Sequence, residues 1–241
     1  ILQEGNTWIG FLACTIGNKF IRLNFGSSLL NNPVLTDLGL PGGMNMPSSF
    51  SMIREAGNWF ALVVNYNGNT LTRLAFGNSL LNAPTGVNLG NPGPGITATG
   101  IALVRDCENT VGFQLNSSIA SPDPLWRLHF PSGITGPVTG TSLGNIGAMN
   151  RPLRFSELYR DGDTLFLYAT NRDNGTITRL RFLPCTGASA PSSTLFNPPG
   201  YNYNQTGTYN VQLTVNEGMP DQASLCKMIT VVAQPLNSYI D

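Results

Sequence analysis

The chain has 241 residues, 41% of them hydrophobic, which is enough for a buried core in one large or two small domains. Only 11% are charged, 13 basic side chains balance 13 acidic ones, and Lys and Arg form no cluster, so nucleic-acid and anionic-membrane surfaces are excluded as partners. No apolar run reaches the roughly 18 residues of a membrane span, and Ile1 falls within patterned sequence with no charged leader, so the amino terminus reads as lying inside a longer protein.

From the amino terminus onward the chain repeats itself. Glu4 to Gly39 and Glu55 to Gly90 are both 36 residues long, align without a gap and agree at 15 positions, among them Trp8 with Trp59 and Ser28-Leu29-Leu30-Asn31 with Ser79-Leu80-Leu81-Asn82. An Arg-Leu-x-Phe sequence starts at Arg22, Arg73, Arg127 and Arg179, and in the first three copies a Leu-Gly pair closes 17 residues later, at Gly39, Gly90 and Gly144. The fourth copy loses this ending after Phe182. A period near fifty residues is the mark of a repeat architecture.

Each copy reads as short strands, because no apolar pattern of period 3.6 persists. In the second copy the expected strands are Phe50 to Arg54, Trp59 to Val64, Thr70 to Phe76 and Gly86 to Leu89, with a type I′ hairpin turn at Asn67-Gly68. The third copy gives Ile101 to Arg105, Thr110 to Leu115, Leu125 to Phe130 and Val138 to Leu143. The last gives Leu153 to Tyr159, Thr164 to Ala169 and Thr176 to Leu183. Four-stranded units of this length suit an all-β propeller array, whose blades cover one another's faces and so permit a continuously apolar second strand. The blades are expected over about 1–40, 48–91, 98–145 and 151–184, either as a ring of four or as part of a larger propeller. Separate β-sandwich modules are the rival, and the repeat is half their usual size of roughly 100 residues.

Side chains suited to chemistry are scarce. His129 is the one histidine and stands at the variable position of its Arg-Leu-x-Phe strand, which argues against a Ser-His-Asp triad, a Cys-His pair or a three-histidine zinc centre. No phosphate-cradling Gly loop precedes a helix. No catalytic residue, cofactor or metal follows from this composition. Cys14 reads as a small buried strand residue, Cys107 as a turn residue, and Cys185 and Cys226 bracket the stretch after the repeats, where they are expected within bridging reach. Calcium at Asp161, Asp163 and Asp173 is a further reading, weaker than solvated turns.

Glu4, Glu55, Asp106 and Asp161 fill one recurring slot, 18 residues before the repeat arginine in three copies and 21 in the third. A recurring slot implies a structural task. Four equivalent Arg-carboxylate pairs, within or between blades, are expected at Arg22, Arg73, Arg127 and Arg179.

Beyond residue 184 the composition shifts, and Gly207-Thr208-Tyr209-Asn210-Val211-Gln212-Leu213-Thr214-Val215, with the later strand Met228 to Val232, resembles the second half of a polycystic-kidney-disease (PKD) domain. The Trp-x-Phe-Gly-Asp-Gly segment of that family is absent upstream, so 185–241 reads as a partial PKD-like segment. Blades followed by such a piece resemble the surface proteins of Bacteroidota, including gliding-motility adhesins exported by type IX secretion. That resemblance implies a non-enzymatic extracellular binding module at the bacterial cell surface, with segments of the same or a neighbouring surface protein as partners. Asp163-Thr164-Leu165 also resembles the O-glycosylation acceptor of that phylum. Two alternatives stand beside it: a carbohydrate-binding module using Trp126, Tyr159 and Tyr168, and a propeller-type glycoside-active enzyme.

Overall fold

Each repeat copy folds into one antiparallel sheet in the computed structural model, which describes residues 1–93, 98–106, 109–117, 125–161, 164–182, 193–216 and 223–232. The first blade comprises β1 (Leu2–Glu4), β2 (Thr7–Cys14), β3 (Lys19–Gly26) and β4 (Val34–Asp37). The second comprises β5 (Pro47–Glu55), β6 (Asn58–Asn65), β7 (Leu71–Gly77) and β8 (Thr85–Asn88), and the third β9 (Ala98–Asp106), β10 (Asn109–Asn116), β11 (Leu125–Phe130) and β12 (Thr139–Gly144). The fourth holds β13 (Pro152–Phe155), β14 (Tyr159–Asp161), β15 (Thr164–Asn171) and β16 (Ile177–Phe182). The molecule is an all-β propeller of four blades, each a four-stranded antiparallel sheet.

The apolar second strand has a direct cause. Alternate side chains of β6 enter two different cores: Ala61 and Val63 pack with Ile9, Phe11 and Phe20 of the first blade, while Phe60, Leu62 and Val64 pack with Ile101, Leu103 and Leu128 of the third. A further core joins the third and fourth blades through Phe113, Leu115, Leu167 and Leu180. The copies share register as well. Trp8 lies opposite Gly26 and Trp59 opposite Gly77, and every Arg-Leu-x-Phe strand pairs with the strand before it, β2, β6, β10 or β15.

Two local expectations are corrected. The positive φ values of the β6–β7 hairpin fall on Gly68 and Asn69, not on Asn67 and Gly68, and the loop is closed by the Asn65 N–H donating to Thr70 O at 2.8 Å. Its wider span is held by the Asn65 side chain, whose Nδ2 donates to Thr70 Oγ1 and Thr72 Oγ1 at 3.0 and 2.9 Å. The expected strand Leu153 to Tyr159 is broken into β13 and β14, which pair with β15 in succession. From Pro152 to Asp161 the chain is one residue longer than from Pro47 to Glu55, the equivalent stretch, and the excess is extruded at 156–158 as a bulge.

The linker leaving each blade crosses the outer strand of the next. A Cβ on Gly86 of β8 would overlap the backbone of Pro41 and Gly42, and one on Gly140 of β12 that of Pro92, so both sites require the close backbone approach that glycine permits. Leu12 and Leu29 of the first blade are each 44% exposed, although their repeat equivalents Val63 and Leu80 are fully buried, because among the described residues no blade precedes the first.

The carboxy-terminal segment belongs to a second compact unit. Within it β17 (Gly207–Val215) and β18 (Ala223–Val231) form an antiparallel pair, and the Tyr209 ring lies tilted against Tyr203, centroids 4.5 Å apart, while its hydroxyl donates to Gln205 O at 2.9 Å. Cys226 lies in β18, but Cys185 is outside the described residues, and so is the expected bridge; Cys107 is outside them too. Cys14 ends β2 as a half-buried free thiol.

Candidate functional site

The acidic slot and the repeat arginine meet at the next blade without meeting each other. Glu4 turns off the end of β1 and accepts from the second blade: Trp59 Nε1 at 3.0 Å, Ser79 Oγ at 2.6 Å and the Leu80 amide at 3.1 Å. Arg22 Nη1 donates to the carbonyls of Leu80, Leu81 and Asn82 at 3.1, 2.6 and 3.0 Å. The same clasp recurs one blade on. Glu55 accepts from Thr110 Oγ1 at 2.7 Å and from the Ile134 amide at 3.0 Å, and Arg73 Nη1 donates to Ile134 O and Gly136 O at 2.8 and 3.2 Å. Burial lowers the pKa of Arg73 below the ordinary arginine value. Leu80 and Ile134 are fully buried at the centre of the two clasps.

The expected Arg-carboxylate pairs are therefore corrected. Among the described residues the ion pairs are Lys19 with Asp37 and Arg151 with Asp173. Acid and arginine each bind main-chain atoms of the loop after the next blade's third strand, because that loop offers an N–H and carbonyls on the two sides of one buried aliphatic residue. In the third blade Arg127 is exposed and the Asp106 side chain is outside the description.

In the fourth blade the pair is open. Asp161 and Arg179 line a depression of about 500 Å³ together with Tyr159, Phe166 and Tyr168. Register places them on one face of the sheet: Tyr159 lies opposite Phe166, Asp161 opposite Thr164, Tyr168 opposite Arg179 and Phe166 opposite Arg181. The other face, with Leu167, Ala169 and Leu180, packs on the third blade. Tyr159 and Tyr168 are 56% and 38% exposed, so two rings stand in solvent beside a carboxylate and a guanidinium that have no ion pair or hydrogen bond among the described residues. Exposed aromatics grouped with polar side chains have the character of a ligand surface, not of a core.

Of the three aromatics singled out from the sequence, Tyr159 and Tyr168 are brought together here; Trp126 is half-buried in β11 against Gly93 and does not line the depression. Phe166 was missed, since its strand reads as uniformly apolar. His129 is exposed in β11. Asp163 is outside the described residues, Asp173 is engaged by Arg151 at 3.2 Å, and among the described residues no group of three metal-ligating side chains exists.

No family model matches the chain, and no curated protein does. Among solved structures it is similar to a GH43 β-1,3-galactosidase, at 9% identity and a TM-score of 0.49, over 72% of this chain and 42% of that one. It is also similar to an exo-β-1,3-galactanase from Phanerochaete chrysosporium in complex with galactose, at 8% identity and a TM-score of 0.48, over 88% of this chain and 58% of that one. A variant of that enzyme with β-1,3-galactotriose gives 9% identity and a TM-score of 0.48 over 92% and 60%. The chain thus spans 42 to 60% of the length of these proteins. The resemblance to a gliding-motility adhesin of the PKD-bearing surface type is corrected by this comparison, in which the similar structures are glycosidases. The non-enzymatic reading, the surface-protein partners and the type IX secretion that followed from that resemblance are withdrawn with it.

Proposed function

We propose that the protein is a carbohydrate-directed propeller that holds a saccharide on the open face of its fourth blade. The observation that supports this reading is the depression in which Tyr159, Phe166 and Tyr168 share one face with Asp161 and Arg179. A sugar ring presents apolar C–H groups to an aromatic face and hydroxyls around its rim, so a platform of rings bordered by an acceptor-only carboxylate and a donor-only guanidinium satisfies both parts of it. An extracellular setting accompanies such a ligand. A glycan array followed by calorimetry tests the proposal: Tyr168→Ala and Tyr159→Ala should each weaken binding roughly tenfold, about 1.4 kcal/mol. An array without a single bound glycan overturns it.

A hydrolytic form of this reading assigns Asp161 one of the two carboxyl roles that glycoside hydrolysis needs. Release of reducing sugar by the native chain and its loss in Asp161→Asn is the expected result; equal release by both excludes Asp161 from the reaction.

A further inference from the structure

Arg179 occupies the repeat position of Arg22 and Arg73, and in those copies Nη1 of the guanidinium donates to backbone carbonyls of the following blade. Among the described residues no loop covers Arg179, and it has neither an ion pair nor a hydrogen bond there. Two residues along the same strand stands Arg181, opposite Phe166 on the same face, where the other copies carry Asn24, Ala75 and His129. It too is exposed and unpaired among the described residues. Asp161 lies across the face on β14, with the rings of Phe166 and Tyr168 on the strand between it and the two arginines. Among the described residues one carboxylate against two guanidinium groups leaves the face with one net positive charge. The sheet does pair charges where they come within reach, as Arg151 and Asp173 do at 3.2 Å.

We infer that the saccharide held on the fourth blade is acidic, a uronic-acid glycan. The inference rests on the glycan reading of the depression and gives its ligand a charge. A planar guanidinium fork matches a sugar carboxylate through two parallel N–H···O bonds, and Arg179 offers that fork beside the Tyr168 ring. Arg181 adds a second positive charge one ring further along the platform. Asp161, at the far edge, accepts hydrogen bonds from hydroxyls of a neighbouring sugar unit.

The test is calorimetry of the full chain with tetragalacturonate and with its carboxyl-reduced counterpart, which keeps ring, linkage and length and removes the charge. At about 20 mM salt the acidic oligomer should bind roughly tenfold tighter, and the advantage should shrink toward unity at about 500 mM as screening shortens the reach of the charges. Arg179→Gln with Arg181→Gln should abolish the advantage without moving the urea midpoint, Arg179→Lys should restore part of it, and Tyr168→Ala should weaken both oligomers equally. Equal or tighter binding of the reduced oligomer overturns the acidic assignment and leaves the glycan reading standing. If neither oligomer binds and the glycan array is blank, both fall.

Discussion

Glu55 and Arg73 hold the third blade by a few main-chain atoms and the Thr110 hydroxyl. Truncating either strands a partner inside a dry interface, since Thr110 and Ile134 are fully buried. Glu55→Ala is therefore expected to lower unfolding free energy by about 1.5 to 3 kcal/mol, the usual range for hydrogen bonds to a charged group, and Arg73→Ala by about 1 to 2 kcal/mol, measured by urea denaturation. Both act on one loop, so the double variant should lose less than the sum of the two. Strict additivity would show that the clasp is two independent contacts. Gly133 of that loop has φ +76°, and a Cβ there would overlap Glu55 Oε1, so Gly133→Ala should destabilise by a similar amount.

At the scale of strands and linkers, close approach and backbone conformation can be separated. Gly86 has no room for a methyl group, while Gly90 has open space but φ +71°. Gly86→Ala should cost more than about 2 kcal/mol, because backbone must move, and Gly90→Ala about 1 kcal/mol, from φ alone; a reversed order would refute the linker crossing. Much of this level was legible in the sequence. The 17-residue spacing from Arg22 to Gly39 and the uniformly apolar Phe60 to Val64 pointed to strands covered on both faces. What the acid and arginine touch was not legible, because Glu4 reaches Leu80, in another blade, and spacing within a copy reports only that two residues sit near the same end of it. The aromatic depression was half legible: Tyr159 and Tyr168 stood out as candidate ring residues, but Phe166 looks like any core residue until one face of the fourth blade is seen to be uncovered among the described residues.

For the propeller as a whole, the first and fourth blades differ in what they leave bare among the described residues. The fourth shows rings and charges; the first shows Leu12 and Leu35, 44% and 63% exposed, over the half-buried Ile21 and Leu23. An apolar sheet face of this kind binds hydrophobic dyes and favours association. Leu12→Lys with Leu35→Lys should reduce the fluorescence of 8-anilinonaphthalene sulfonate at least about twofold while leaving the unfolding midpoint within about 0.5 kcal/mol, as for other surface changes; unaltered dye binding would place the exposed apolar surface elsewhere. The clasp that joins the blades has a consequence for inheritance. It grips amide and carbonyl groups that every residue carries, adds one hydroxyl, from Ser79 or Thr110, and centres on a buried aliphatic side chain, Leu80 in one blade and Ile134 in the next. Ser79-Leu80-Leu81-Asn82 and Gly133-Ile134-Thr135-Gly136 thus fit the same socket with little in common. A copy duplicated with its acid, arginine and loop together, as in the first two blades, carries both halves of the joint, so its loop sequence can drift while the joint is kept.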